Sequence, residues 1–336
     1  MAITATVLPL LLERANGVWP DNQNKMDVTP NVEVLKAIDD QNTSTINTII
    51  GNEKDRDVKI GWVKACPPTV DDCADSCTFA GSEASTDSKT YALTKCGQTE
   101  FKVDIDGFYA NEFEATDATA RLLQAHMTAH ANAAAEYAVA VINANLGVNT
   151  YDNRGAWTIT GTTTEIPGPL WETPLFGALQ RVAIKNKLDM PYLLSGDNLH
   201  QEFFMAKTSQ GNGEGKGDAN RIGTLPSYFD LFNLESVNDP DYITYMIAKG
   251  ALAFASKGYY DINLPERIEG RDAHTRVTIP NPAFPKLLHD VQITTQCSGG
   301  HTYEHYKIKT KYDVFTNPLG CTSTRTGILL FKNTGI

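Results

Sequence analysis

The sequence predicts an α+β fold. Three observations carry that reading: one Ala-rich helical run from Ala118 to Leu146, period-two alternation on both sides of it, and a strand-rich stretch after Thr275. With 336 residues, 41% of them hydrophobic and 21% charged, the chain can bury a sizeable core and has an ordinary globular composition.

Residues 1–56 are polar and rich in Asn and Thr, and Pro20 and Pro30 interrupt anything regular. One short helix is expected near Val32 to Asp39, in an arm with too little apolar content to order itself without neighbours. Residues 57–106 read as an antiparallel hairpin. Val58 to Val63, Tyr91 to Thr94 and Phe101 to Ile105 alternate, and Asp71 to Lys89 forms a polar tip. Such a ribbon is marginal in water and needs something to lie on.

The long helix is expected to be capped by Thr116-Asp117 and ended by Gly147, which gives a length of roughly 43 Å. Leu122, Leu123, Ala129, Ala133, Val139, Ile142 and Leu146 lay an apolar surface along it. It lacks a sustained heptad, so a helix laid across a sheet is favoured over a coiled coil.

Short strands follow at Ala156 to Thr160 and Thr162 to Ile166, and Pro167-Gly168-Pro169 turns the chain. Thr173-Pro174 opens a helix to about Lys187, with Pro in the first turn where its missing N–H matters least. Met190 to Ser195 reads as a buried strand, Asn198 to Thr208 as a helix, and Gly211 to Asp218 as a flexible loop. Strands are expected at Arg221 to Leu225, Tyr242 to Ile247 and Ala251 to Ala255. The last ones fall at Thr275 to Ile279, Val291 to Thr295, His305 to Val314 and Gly327 to Phe331.

A formal net charge of −11 argues against sequence-specific or groove binding of DNA, because an acidic chain gains nothing from counterion release. No run approaches the ~18 apolar residues of a membrane span. The apolar start has no basic region before it, and Glu13-Arg14 stand where a cleavage site would lie. It does not read as a signal peptide, so a cytoplasmic origin is expected.

Catalytic motifs are missing. The glycine loop fails as a P-loop, since Gly217 follows Lys216 where a Ser or Thr should bind Mg²⁺. There is no Gly-x-Ser-x-Gly, and acidic pairs such as Asp71-Asp72 fall in polar loops. His126 and His130 share a helix face and His301 and His305 a strand face, but no third ligand is signalled for either pair. No catalytic, cofactor-binding or metal residue is assigned, and no cofactor is expected.

The cysteines are the most specific local signal. Cys66, Cys73, Cys77 and Cys96 fall within residues 57–106, while Cys297 and Cys321 lie near the end. The first four are disulfide candidates, with three connectivities open. Zinc binding and free thiols stay open beside that reading.

The order of elements resembles the major capsid protein of tailed bacteriophages, the Hong Kong 97-like fold. The helix from Thr173 followed by Met190 to Ser195 is similar to the start of that family's axial domain. Arg221 to Asn233 and then Tyr242 to Phe254 look like its run into a long strand. The resemblance implies an N-terminal arm (1–56), an E-loop hairpin (57–106) and a peripheral domain with a long spine helix (107–170). An axial domain (171–274) and return strands to the peripheral domain (275–336) would follow.

It further implies self-assembly into hexamers and pentamers that form an icosahedral head around double-stranded DNA, without sequence-specific contacts. The protein would be part of the virion, assembled in the host bacterial cytoplasm and not itself an enzyme. There is no long charged helical prefix to act as a built-in scaffold, so a separate scaffolding protein is implied, with a portal and cement proteins as further partners. The cysteine-rich hairpin departs from the family pattern. An encapsulin-type nanocompartment and an extracellular β-rich adhesion or sugar-binding module are the alternatives; the second explains the cysteines but not the long helix.

Overall fold

A computed structural model of the chain describes residues 30–47, 57–63, 86–108, 112–168, 174–188, 190–196, 225–234, 243–258, 266–268, 274–318 and 326–333. The expected helix at Asn198 to Thr208, the glycine loop and the hairpin tip up to residue 85 lie outside these residues, as does most of the strand expected at Arg221 to Leu225; the tip's last residues, 86–89, belong to a strand.

In chain order the elements begin with α1 (Glu33–Asp40), β1 (Thr45–Asn47), β2 (Asp57–Val63), β3 (Thr86–Ala92) and β4 (Lys95–Asp104). Then come α2 (Glu112–Ala144), β5 (Thr158–Thr160), β6 (Thr163–Ile166), α3 (Pro174–Lys185), β7 (Tyr192–Ser195), β8 (Ser227–Phe229) and β9 (Ile243–Ile247). The chain closes with β10 (Leu252–Ser256), β11 (Glu266–Ile268), β12 (His274–Pro280), β13 (Leu288–Ser298), β14 (His301–Thr316) and β15 (Ile328–Asn333). The fold is mixed helix and sheet, as expected.

The largest sheet is organised by β14, which pairs antiparallel with β13 over 301–310, with β4 over 303–312 and with β10 over 312–316. β12 and β11 extend it beyond β13. The β13–β14 hairpin turns on Gly299-Gly300 at φ +61° and +85°, the two positive values that a type I′ hairpin loop requires. Along β14 the even residues Tyr306, Ile308, Tyr312 and Val314 are buried, while odd residues such as His305, Lys307 and Lys309 stay partly in water.

Helix α2 lies on the buried face of this sheet and is about 50 Å long by its rise. Its buried stripe runs Ala120, Leu123, Met127, Ala131, Ala134, Ala138 and Ile142, at spacings of three and four residues. The expected stripe is corrected in part: Leu123 and Ile142 are buried, but Leu122, Ala129 and Ala133 face solvent. The helix also begins at Glu112, ahead of the expected Thr116-Asp117 cap.

A second six-stranded sheet runs β5-β6-β15-β9-β7-β8, with β15 parallel to β6 and antiparallel to β9. One face, through Leu193, Met246, Leu329 and Phe331, packs on Leu175, Leu179 and Val182 of α3. The other face, through Tyr192, Leu194, Tyr245, Ile247 and Ile328, joins the cluster built around α1 and α2. The C-terminal half of α2 therefore sits in one apolar cluster with both large sheets.

Two expectations about the N-terminal part change. The arm helix is ordered by its own chain: Val34, Leu35, Ala37 and Ile38 are buried against α2, β10 and the second sheet. The Phe101 to Ile105 strand belongs to β4 on the large sheet and not to a ribbon with β2 and β3. The ribbon itself finds its support within the chain. Val58, Ile60 and Trp62 pack with Leu93 on Ala253 and Ala255 of β10, on the face of the large sheet opposite α2.

Helix α1 has no side-chain cap from its own N-cap residue, Val32. Asp230, after β8, accepts the Val34 N–H at 3.3 Å, and Asn132 of α2 accepts the Asn31 N–H at 2.8 Å. A buried carboxylate distant in sequence thus does the work of a local N-cap. Asp230→Ala should lower stability by about 2 kcal/mol and Leu35→Ala by about 3 kcal/mol, while Lys36→Ala, at an exposed position, should stay within ~0.5 kcal/mol. Urea unfolding of the soluble chain, followed by tryptophan fluorescence and circular dichroism, measures all three.

Candidate functional site

Two buried histidines whose ionisation the fold shifts strongly lie in the layer between α2 and the large sheet. His130 of α2 and His289 of β13 are both buried, with ring centroids 5.5 Å apart. Thr99 of β4 is hydrogen-bonded to His130 Nε2 at 3.0 Å. Asn281 fixes the state of His289. Its Oδ1 accepts the N–H groups of Ala283 and Phe284, so its Nδ2 must donate to Met127 O and to His289 Nε2, each at 2.9 Å. His289 therefore carries its proton on Nδ1, which is buried without an acceptor. Burial pushes His130 down to about 4, helped by the neighbouring His126, and pushes His289 down to about 3, helped by His130.

Gly97 permits this packing. A Cβ there would meet His130 Nδ1 at 2.8 Å. The two histidines expected on one helix face part company: His130 turns into the core, whereas His126 stacks its ring on Phe101, centroids 4.9 Å apart, and burial lowers its pKa too. His130 and His289 are packing residues, held away from water.

A second cluster forms where β4 ends. Asp104 Oδ1 accepts the N–H groups of Asp106 and Gly107, both at 3.1 Å, and its Oδ2 lies 3.2 Å from His301 Nδ1. Asp106 accepts the Thr302 N–H. The three side chains offer one ligand atom each within 4.8 Å of one another, so they could hold a cation. Every contact named also has a structural use, since it ties the β4 corner to the start of β14. The sequence pairing of His301 with His305 does not form a ligand pair; His305 lies beside Tyr303, and His301 pairs with Asp104.

Of the four disulfide candidates, Cys66, Cys73 and Cys77 lie outside the described residues. Cys96 is an exposed free cysteine on β4, and Cys297 is another on β13. Sequence reading missed a junction at Asp313, whose carboxylate accepts the N–H and hydroxyl of Thr94 at 3.0 and 2.6 Å and the Tyr137 hydroxyl at 2.7 Å. It joins the β3–β4 turn, α2 and β14. No local pattern announces it, because the three partners are far apart in sequence.

The single chain leaves large apolar side chains in water: Ile184 is 75% exposed, Met190 69% and Phe232 63%. No described helix is long and apolar enough to cross a membrane.

No family model matches the chain, and no curated protein matches it. Solved structures similar to it include the capsid of cyanophage P-SCSP1u, at 11% identity over 88% of this chain and 87% of that one, with a TM-score of 0.43. The mature capsid of bacteriophage PhiM1 is 11% identical over 83% and 82%, with a TM-score of 0.42. A structure from Mycobacterium phage Che8 is 14% identical over 86% and 92%, with a TM-score of 0.40. These are phage structures, two of them named as capsids.

The buried imidazoles give a sign to the pH dependence. Their folded-state pKa values lie below the unfolded value of about 6.5, so between pH 6.5 and 4 the unfolded chain binds more protons. The stabilising contribution is full above about pH 6.5 and is lost progressively as pH falls toward 4 and 3. Urea midpoints at pH 7, 5.5 and 4.5 should fall steeply for the natural chain. They should fall less for the double variant H130Q/H289Q, whatever its stability at pH 7.

Proposed function

We propose that this chain is the major capsid protein of a tailed bacteriophage, with the Hong Kong 97-like fold, and that it assembles into hexamers and pentamers of an icosahedral head around double-stranded DNA. The observation that carries the reading is the layering of elements in chain order. An arm helix, a ribbon, one 33-residue helix across a six-stranded sheet, a second mixed sheet with its own helix, and strands that return from the end of the chain to both sheets all follow the order of that family. In this reading α2 is the spine helix, the E-loop falls within residues 57–106 ahead of β4, residues 171–274 are mostly axial, and residues 275–336 return mainly to the periphery, with β15 joining the second sheet.

Exposed Ile184, Met190 and Phe232 are available for contacts with neighbouring subunits. Heterologous contacts repeated around an axis close into rings, the geometry that capsomers need. The role is structural and not enzymatic, the site of action is the virion, and assembly takes place in the host cytoplasm. A scaffolding protein, a portal and cement proteins are the expected partners.

Negative-stain microscopy and analytical ultracentrifugation of the purified chain test this. Shells or capsomer rings are expected, and a stable monomer at micromolar concentration overturns the reading. The cysteines of the 57–106 region enter as a second prediction. Disulfides among Cys66, Cys73, Cys77 and Cys96 should form after release from the reducing cytoplasm. Closing such loops would stabilise the region by ~3–4 kcal/mol. Intact mass of alkylated particles, before and after reduction, reads them out. Stoichiometric zinc, or six freely alkylated thiols in mature particles, sinks the disulfide idea.

A further inference from the structure

The side of α2 that looks away from the sheets is poor in charge. Opposite the buried stripe, its exposed positions from Leu122 onward are Leu122, Ala129, Ala133, Glu136, Ala140, Asn143 and Ala144. Their spacing puts them on one face, about 33 Å long by the helical rise, and Glu136 is its single charge. Arg121, exposed as well, stands about 100° round the helix from Leu122 and off this face. Alanine alone would suit a bare surface, because it is the best helix former. A solvent side of this length ordinarily mixes in Glu, Lys, Arg and Gln, however, and a helix with so little charge on any side is one that becomes covered on every side.

Two further observations name the cover. The chain enters the fold beside this face: the Asn31 N–H donates to Asn132 Oδ1 at 2.8 Å, and the Asn31 carbonyl accepts from Asn233 Nδ2 at 2.9 Å. Asn132 stands one helical turn from both Ala129 and Glu136, so the segment before Asn31 starts at the border of the face. That segment carries an apolar run of its own. Residues 2–12 read Ala-Ile-Thr-Ala-Thr-Val-Leu-Pro-Leu-Leu-Leu, without a charge. From Leu12 to Asn31 the chain can reach about 65 Å, well beyond the length of the face, so the run can lie along it without leaving its own subunit.

We propose that the apolar run at residues 2–12 docks on the outer face of α2 in its own subunit, against Leu122, Ala129, Ala133 and Ala140. Both surfaces shed water in that contact, and the short alanine side chains let a segment carrying Leu8, Leu10, Leu11 and Leu12 come close. The tether at Asn31 favours this occupant over a free partner. It holds the run at an effective concentration on the order of millimolar before any second molecule arrives. The inference concerns a single chain and goes beyond the shell reading without resting on it.

Photocrosslinking of the full chain tests the assignment. With p-benzoylphenylalanine in place of Ala133 or, separately, of Ala140, irradiation and peptide mass spectrometry should find the link in the tryptic peptide that ends at Arg14. In a mixture with natural chain labelled with heavy isotopes, that peptide should be the unlabelled one, from the same chain as the helix. A link to another segment, to another protein or to the labelled peptide overturns the proposal, as does the absence of a link at both positions.

The double variant A133E/A140E supplies a second measurement. Glutamate on a bare helix face is a harmless exchange, whereas beneath an apolar run it drives the run off. Trypsin should then cut after Arg14 about tenfold faster in the variant than in the natural chain, with equal helix content by circular dichroism. Equal cleavage rates in the two refute the docking. If the natural chain forms no shells, the capsid reading fails while both measurements still decide what covers α2.

Discussion

One constraint sets the rest of the structure: the side of α2 that points inward must be thin. Ala131, Ala134, Ala135 and Ala138 are all fully buried, and around them gather α1, the end of β14 with β10, and β7, β9 and β15 of the second sheet. Three layers can meet one helix over so short a length only because the side chains between them are methyl groups. A larger residue at any of these positions would force layers apart instead of filling a gap, since close-packed interiors resist added volume. The bulk that alanine does not supply comes from the partners, as Tyr245, Tyr312 and Phe254 fill the cluster from the sheets.

With the apolar layers so closely drawn together, orientation falls to a few buried polar groups. Asp313 gathers Thr94 and Tyr137, Asp230 gathers Val34 and Asn233, and Asn186 and Asn149 hold the loop after α2 against the end of α3. Each is satisfied by partners on more than one element. Losing one would leave the others buried and unpaired, which costs more than the bond itself contributes. The histidine layer follows the same logic with less margin, since His289 Nδ1 is already without an acceptor.

The sequence made the elements legible wherever the signal is local. Alanine content and period exposed α2, alternation exposed β12, β13 and β14, and Pro174 marked the first residue of α3. What stayed hidden was non-local. The buried side of α2 could not be chosen between two faces that both carry alanine, so Ala129 and Ala133 were expected inside. The arm helix looked unsupported because its cap, Asp230, lies about two hundred residues away. β4 looked like part of a ribbon because its partner, β14, is equally distant. The Asp104 corner was invisible for a similar reason: its histidine stands across the sheet, although His301 itself had drawn notice.

The pairing of β4 with β14 has a consequence for how the chain is made. Asp104 leaves the ribosome long before its neighbour Tyr303, and at ~5–20 residues per second the gap is roughly 10–40 s. Through that interval the inner side of β4, with Phe101 and Val103, and the stripe of α2 that will lie on the sheet have no surface to close against. Contacts of such long range also slow the search once synthesis ends. The nascent chain is therefore most open to wrong associations before its own last third exists to exclude them, and a chaperone that holds it during those seconds would act on this stretch first.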